Sequence, residues 1–146
     1  MTTKIYVNLV VKDLNKSIDF FTRLGFRFNP LFTDDTAACM IIGENIFSML
    51  VTESKFKEFT RKKINDAHKF TETFISIELD SREKVDEMVY KAIAAGGASY
   101  FAAEDLGWIY QRSFEDLDGH QWELLFMNED AMSREMEKTS NHNSPS

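Results

Sequence analysis

Residues 112–126 read RSFEDLDGHQWELLF, and this stretch decides the fold. It predicts a strand, a tight turn over residues 116–119 and a second strand, because Asp-Gly between alternating apolar residues is the strongest short-range signal of a hairpin. The second strand carries one carboxylate, Glu123, among apolar neighbours. Burying a carboxylate is costly unless it has a partner, so Glu123 is the first candidate for a functional residue.

The chain contains two copies of one pattern, a strand, a helix and three further strands, over residues 4–51 and 71–127. Each copy opens with a β-branched or aromatic strand, and Asp13 and Asp80 then occupy matching positions at the start of a helix. The duplication predicts one α+β domain over residues 1–127. The predicted strands cover residues 4–11, 26–33, 36–42 and 46–51 in the first copy, and 71–79, 98–104, 108–115 and 121–127 in the second.

The segments outside the two copies have simpler patterns. Residues 53–70 are rich in lysine and have a loose apolar stripe, which predicts a linker helix. Residues 128–146 form an acidic tail, expected to be helical to about Lys138 and disordered at its polar end.

Composition limits the classes of function. The chain has 43% hydrophobic and 28% charged residues, as soluble globular proteins do. Its net charge of -7 argues against nucleic acid as a partner, and no apolar run is long enough for a membrane span. The sequence begins without a signal peptide, and the single cysteine, Cys39, fits a reducing environment. We therefore expect a cytoplasmic protein.

Two motifs in this order, at residues 11–26 and 116–123, resemble the vicinal oxygen chelate superfamily, which includes glyoxalase I, bleomycin-resistance proteins and extradiol dioxygenases. The resemblance covers about residues 4–127. It implies two βαβββ modules that form a cupped mixed sheet around a cavity, the glyoxalase/bleomycin-resistance fold. It does not specify a function, because the same scaffold serves lyases, dioxygenases and binding proteins.

The resemblance also implies four positions that hold a divalent metal in the metal-dependent members. Here they carry Tyr6, Phe74, Glu123 and Met49, or Ser48 if the alignment shifts by one. A catalytic zinc needs about three protein ligands, and only Glu123 is a strong one. We therefore expect no metal and no other cofactor, with a divalent metal held by misaligned ligands as the alternative.

Strand alternation assigns side chains to the inner face of the cup. The residues expected there to bind a ligand are Tyr6, Asn8, Phe47, Met49, Phe74, Ser76, Glu78 and Gln121, together with Arg112 from the neighbouring strand. Aromatic and polar groups of this kind are typical of a small-molecule site. The same aromatics could instead fill the space as a solid core.

Arg112 has two interpretations. It could pair with Glu123 or Glu78 and replace the metal charge by a guanidinium, or it could form an ordinary surface pair. If Arg112 does not reach Glu123, we expect Glu123 to have a raised pKa and to act as a general base.

Two functions remain in competition. The first is a binding protein of the bleomycin-resistance type, which holds a small amphipathic or aromatic molecule without a catalytic metal. The second is a glyoxalase-like lyase or dioxygenase, metal-independent or metal-dependent, that uses Glu123 as its catalytic residue. Under either function, the resemblance implies a homodimer whose modules pair across chains, with a monomer whose two modules face each other as the alternative.

Overall fold

The computed structural model describes residues 2–142, which form two four-stranded sheets and four helices. The first half of the chain forms β1 (Ile5–Val11), α1 (Leu14–Arg23), β2 (Arg27–Asn29), β3 (Ala37–Gly43), β4 (Ile46–Thr52) and the one-turn helix α2 (Glu53–Phe56). The second half forms β5 (Phe74–Glu78), α3 (Arg82–Ala94), β6 (Glu104–Asp105), β7 (Ile109–Glu115), β8 (Gln121–Met127) and α4 (Glu129–His142).

The two sheets have the same topology. Their strand orders are β1-β4-β3-β2 and β5-β8-β7-β6, with a parallel pair at one end of each sheet and antiparallel pairs elsewhere. The predicted fold class, two βαβββ modules in an α+β domain, is confirmed. Within the described residues, none of the helices has the length and apolar character that crossing a bilayer requires.

One core joins the two modules. Phe21 of α1 packs against Trp122 of β8, with ring centroids 5.3 Å apart, and Phe20 lies 6.1 Å from Phe114 of β7. The side chains of Trp122 and Leu124 are completely buried, as the alternation along β8 predicted. Each sheet therefore gives one face to the shared core and turns its other face away from it.

The turn before β8 is tightly connected to the first module. Asp116 is 5% exposed, and its carboxylate accepts hydrogen bonds from the backbone of Asp118 and His120 and from the indole of Trp122, each 3.0 Å long. Asp118 in turn accepts a 2.8 Å bond from the backbone N–H of Lys12. Burial raises the pKa of Asp116, while His120 and the three donors act in the opposite direction.

Three secondary-structure predictions need correction. The predicted strand 26–33 ends at Asn29, because Pro30 begins a short 3-10 turn that the Asn29 side chain caps. The linker helix predicted over 53–70 is only the single turn α2. Beyond α2, Thr60 and Asp66 accept bonds from nearby backbone N–H groups, which compete with a helix.

The third correction concerns the predicted strand 98–104, where only the bridge of Ala98 to Glu115 and the two-residue strand β6 form. The intervening residues leave the sheet and become a covering loop. At the other end of the chain, α4 continues through residues 139–142, past the predicted end at Lys138, and Thr139 donates a side-chain bond to the carbonyl of Glu135. The rest of the tail predicted to be disordered, residues 143–146, lies outside the described residues.

Candidate functional site

A cavity of about 240 Å³ lies on the outer face of the second sheet. Its floor comes from β5, β7 and β8, and residues 100–102 of the covering loop form one wall. The aromatic residues that line it are Phe74, Tyr100 and Phe101, and the polar and charged ones are Thr71, Glu104, Gln111, Arg112, Ser113, Gln121 and Glu123. An apolar concavity with a few polar groups that converge is the usual form of a small-molecule site.

Glu123 occupies the middle strand of this floor. It is paired in register with Ser76 on one side and Ser113 on the other, so all three side chains share the outer face. The Ser76 hydroxyl donates to Oε1 of Glu123 at 3.3 Å. No basic side chain forms an ion pair with Glu123 anywhere in residues 2–142.

Ser113 has an unusual environment. It is 6% exposed, lines the cavity, and its hydroxyl has no hydrogen-bond partner. Tyr100 approaches it from the covering loop; burial raises the pKa of Tyr100, and the nearby Ser113 hydroxyl acts to lower it. The two hydroxyls nevertheless do not meet the geometry of a hydrogen bond. A buried hydroxyl without a partner costs free energy, and a bound molecule could remove that cost here.

The predicted site residues are divided between two sheets. Phe74, Gln121 and Glu123 line the cavity, and Ser76 does not line it but donates a hydrogen bond to Glu123. Glu78 lies at the far end of β5, exposed and outside the cavity lining.

The other four predicted residues lie on the first sheet. Tyr6, Asn8, Phe47 and Met49 do not line the cavity beside Glu123. Of the two arrangements that the sequence left open, the one in which the two modules of a single chain share one cavity therefore does not form. The physical reason is the shared core: both sheets use their helix-facing sides to form it, and their other faces are separate. On the first sheet, the Tyr6 ring stacks on Phe47 with the ring centroids 4.9 Å apart, and Tyr6 remains partly exposed.

Arg112 does not pair with Glu123 or Glu78. It borders the cavity, but it is paired in register with Leu124, so its side chain lies on the opposite face from Glu123. Its guanidinium lies 3.2 Å from Asp86 on α3, and the Tyr110 hydroxyl donates to the same carboxylate oxygen at 2.5 Å. This is the alternative of an ordinary ion pair, with both side chains partly exposed.

The four positions implied to hold a metal do not fit one. Tyr6 and Met49 lie on the first sheet, while Phe74 and Glu123 lie on the second. These four positions offer a phenol, a thioether, a side chain with no donor atom and one carboxylate. Elsewhere in the described range, no group of three His, Cys, Asp or Glu residues could hold a metal ion. Zinc or iron chemistry needs about three nitrogen, sulfur or carboxylate ligands.

A larger cleft, of about 750 Å³, lies between the start of α1, the turn at 116–120 and the linker. Two of the polar groups at its centre, His120 and Asp118, already have structural partners. The imidazole of His120 is 2.7 Å from the Val10 carbonyl, and Asp118 accepts bonds from Lys12 and Ser17. The cavity over the second sheet is therefore the better candidate for a ligand site.

Comparison with known proteins agrees with this geometry. The family profile described as Bleomycin resistance protein-like N-terminal matches residues 3–43. A structure of a hypothetical protein from S. aureus is 31% identical, with 86% of this chain and 95% of that chain covered and a TM-score of 0.73. The chain belongs to the same family as this S. aureus protein, and it has the glyoxalase/bleomycin-resistance fold.

Other solved structures share this fold. A glyoxalase/bleomycin resistance protein/dioxygenase family enzyme from Burkholderia phytofirmans PsJN is 16% identical, covers 87% of this chain and 100% of its own, and has a TM-score of 0.72. The fosfomycin resistance protein FosX from Listeria monocytogenes is 20% identical, with 90% and 98% covered and a TM-score of 0.62. At these identities the likeness concerns the fold alone. A search of curated proteins finds no match.

Sequence reasoning missed Tyr100, Phe101, Gln111 and Ser113 as cavity residues. Ser113 could have been found, because a turn over 116–119 that pairs Glu115 with Gln121 also pairs Ser113 with Glu123. Tyr100 and Phe101 carried no such signal. They were assigned to a strand, and only the departure of residues 99–103 from the sheet places them beside Glu123.

Proposed function

We propose that this protein binds a small amphipathic or aromatic molecule in the cavity over the second sheet, without using a catalytic metal. The observation that carries this proposal is the lining of the cavity, in which Phe74, Tyr100 and Phe101 surround polar groups centred on Glu123. The donor set, with one carboxylate at the four implied metal positions, supports a function that does not depend on a metal.

Phe74 provides the test. Its side chain is 56% exposed, so Phe74→Ala removes a wall of the cavity at little cost to folding. The neutral fluorophore 6-propionyl-2-(dimethylamino)naphthalene should bind the native protein in a saturable manner, with one molecule per chain, and bind Phe74→Ala at least fivefold more weakly. Phe59→Ala is the matched control, because Phe59 is similarly exposed and lies outside the cavity. Non-saturable binding, or equal affinity for Phe74→Ala, would contradict the proposal.

A second candidate function is a glyoxalase-like lyase or dioxygenase that uses Glu123. The observation that favours it is the position of the carboxylate, which lines the cavity and accepts a bond from Ser76. A carboxylate in hydrogen-bond reach of a bound molecule can act as a general base. Turnover of the methylglyoxal–glutathione adduct, or of a catechol in the presence of iron, that Glu123→Gln abolishes would favour the enzyme. Binding of the fluorophore without any turnover would favour the binding protein.

We further propose that the protein is a cytoplasmic homodimer. Tyr6 and Phe74 are 42% and 56% exposed on the outer faces of the two sheets, and exposed apolar groups of this size favour association. A single cysteine, Cys39, which is buried and unpaired, supports a reducing compartment. Light scattering after gel filtration should give twice the chain mass of 16.9 kDa, and a mass of one chain would exclude the dimer.

A further inference from the structure

We infer that the ligand of this cavity is an organic cation, a protonated amine carried on an aromatic or apolar body, with the Glu123 carboxylate as its counter-ion. This inference rests on the proposed binding function and specifies the chemical class of the ligand.

The first argument is the charge of the lining. Glu104 and Glu123 both line the cavity; Arg112 lines it too, but its guanidinium lies on the opposite face of the sheet, where it pairs with Asp86. Neither lysine nor histidine is among the lining residues. The cavity therefore has an excess of negative charge that no internal cation neutralises, which favours a positively charged ligand.

The negative charge of the cavity also affects Tyr100 on the covering loop. The pKa of Tyr100 is raised, mainly because the phenol is partly buried, and the negative charges of Glu123 and Glu115 add to the effect. This Coulombic contribution has the sign that favours an ammonium group, whereas burial, the larger cause of the shift, disfavours any charge at this place. The Coulombic contribution disfavours a carboxylate or phosphate ligand by the same reasoning.

The second argument is an unsatisfied acceptor next to the carboxylate. Ser113 is paired in register with Glu123 and presents a buried hydroxyl without a partner to the cavity. Oε1 of Glu123 accepts a bond from Ser76, while Oε2 has no partner within residues 2–142. An ammonium group has three donors and no acceptor, so it could donate to the free carboxylate oxygen and to the Ser113 hydroxyl together.

The third argument is the aromatic wall. Phe74, Tyr100 and Phe101 line the cavity, and the rings of Tyr100 and Phe101 lie 5.1 Å apart at 58°. Aromatic faces attract a cation electrostatically, and they also cover the apolar body of an amphipathic ligand. A carboxylate, a free hydroxyl and aromatic rings around one small cavity form a set of groups that recognises an aryl-alkylamine.

Ligand charge is the variable to test, on the native protein and with matched probes. The probes are 2-phenylethylammonium, the neutral 2-phenylethanol and the anionic 3-phenylpropanoate, titrated at neutral pH while the amide resonances of residues 74, 113 and 123 are followed by NMR. Probes of this size should bind in the millimolar range. We expect the amine to bind about tenfold more tightly than the alcohol, a difference of about 1.4 kcal/mol. The anion should not bind measurably.

Two variants locate the effect. Glu123→Gln should abolish the preference for the amine over the alcohol. Glu44→Gln removes the same charge from an exposed turn of the first module and should keep the preference. Added salt should reduce the preference in the native protein, because it screens partly exposed charges.

The outcomes separate this inference from the proposed function. Equal affinity for the amine and the alcohol in the native protein, or a preference that survives Glu123→Gln, would overturn the inference while the binding function stands. Shifts that concentrate on other residues would also overturn it. If neither these probes nor the neutral fluorophore binds, the proposed function fails as well. The comparison of probes on the native protein needs no variant, so it decides the question even if Glu123→Gln fails to fold.

Discussion

The buried carboxylate of Asp116 offers the sharpest test of how the two modules are held together. Replacing it in Asp116→Ala leaves three donors without their acceptor: the backbone N–H groups of Asp118 and His120 and the indole of Trp122. The indole belongs to a completely buried side chain, whereas both backbone groups lie in a partly exposed turn that water can reach. A buried donor without a partner costs about 1–3 kcal/mol.

The magnitude follows from these contacts. We take the full cost of ~1–3 kcal/mol for the indole and roughly half of it for each backbone group, which gives a gross loss of about 2–6 kcal/mol. Removing a carboxylate whose burial raises its pKa returns part of this loss. We therefore expect Asp116→Ala to lower the free energy of unfolding by about 2–4 kcal/mol, a large fraction of the stability of a domain of this size.

Urea denaturation followed by tryptophan fluorescence measures this loss, with the slope of the transition as a check on two-state behaviour. Asp13→Ala is the matched control, because Asp13 is an exposed N-cap that accepts one 3.1 Å bond from the backbone of Lys16. Its loss should be about 1 kcal/mol. If Asp116→Ala costs no more than Asp13→Ala, the three bonds do not contribute as the structure implies and the reasoning is wrong.

Three further predictions concern a glycine in a turn, an ion pair on the surface and the contribution of a metal. Gly119→Ala should lower the free energy of unfolding by at least about 1–2 kcal/mol, because Gly119 has φ +85° and an added Cβ would lie 2.7 Å from the backbone nitrogen of His68; a neutral effect in urea denaturation would contradict this. Hydrogen bonding to Arg82 lowers the pKa of Asp105 below its ordinary value of 3.8, so the pair stabilises the fold above that pH and loses its effect as the pH falls further. The free energy of unfolding of Arg82→Ala should therefore depend less on pH in this acid range than that of the native protein. An equal pH dependence in the two proteins would count against the pair. Finally, dialysis against a chelator should leave both the melting temperature and fluorophore binding unchanged, and a loss of either would show that a metal contributes.

Strand periodicity allowed much of the second sheet to be predicted. Side chains alternate between faces with a period of two, so the burial of Trp122 and Leu124 and the position of Glu123 on the face away from the helices both follow from one parity assignment. The structure bears this out. Arg112 shows where such an assignment needs the register as well. The sequence was consistent with an Arg112–Glu123 pair, but cross-strand pairing puts Arg112 opposite Leu124 and sends it to Asp86.

The covering loop shows a different limit. Tyr100 and Phe101 belong to a segment whose composition suits a strand, and nothing local indicates that it leaves the sheet after Ala98. Close packing at Gly97 accompanies this departure, since an added Cβ there would lie 2.6 Å from the Glu115 carbonyl. Contacts of this kind between distant residues have no signature in a single sequence.

The amino-acid sequence by itself determined the order of strands and helices, the Asp-Gly turn and the face on which Glu123 lies, because these depend on local backbone preferences and on the alternation of apolar residues. Tertiary structure alone decided the composition of the cavity. The two modules share their helix-facing sides in one core, so Tyr6 and Met49 are separated from Glu123, while a loop from the second module brings Tyr100 to the unpartnered hydroxyl of Ser113. Which buried surfaces meet depends on the packing of the whole chain, and no short segment encodes it.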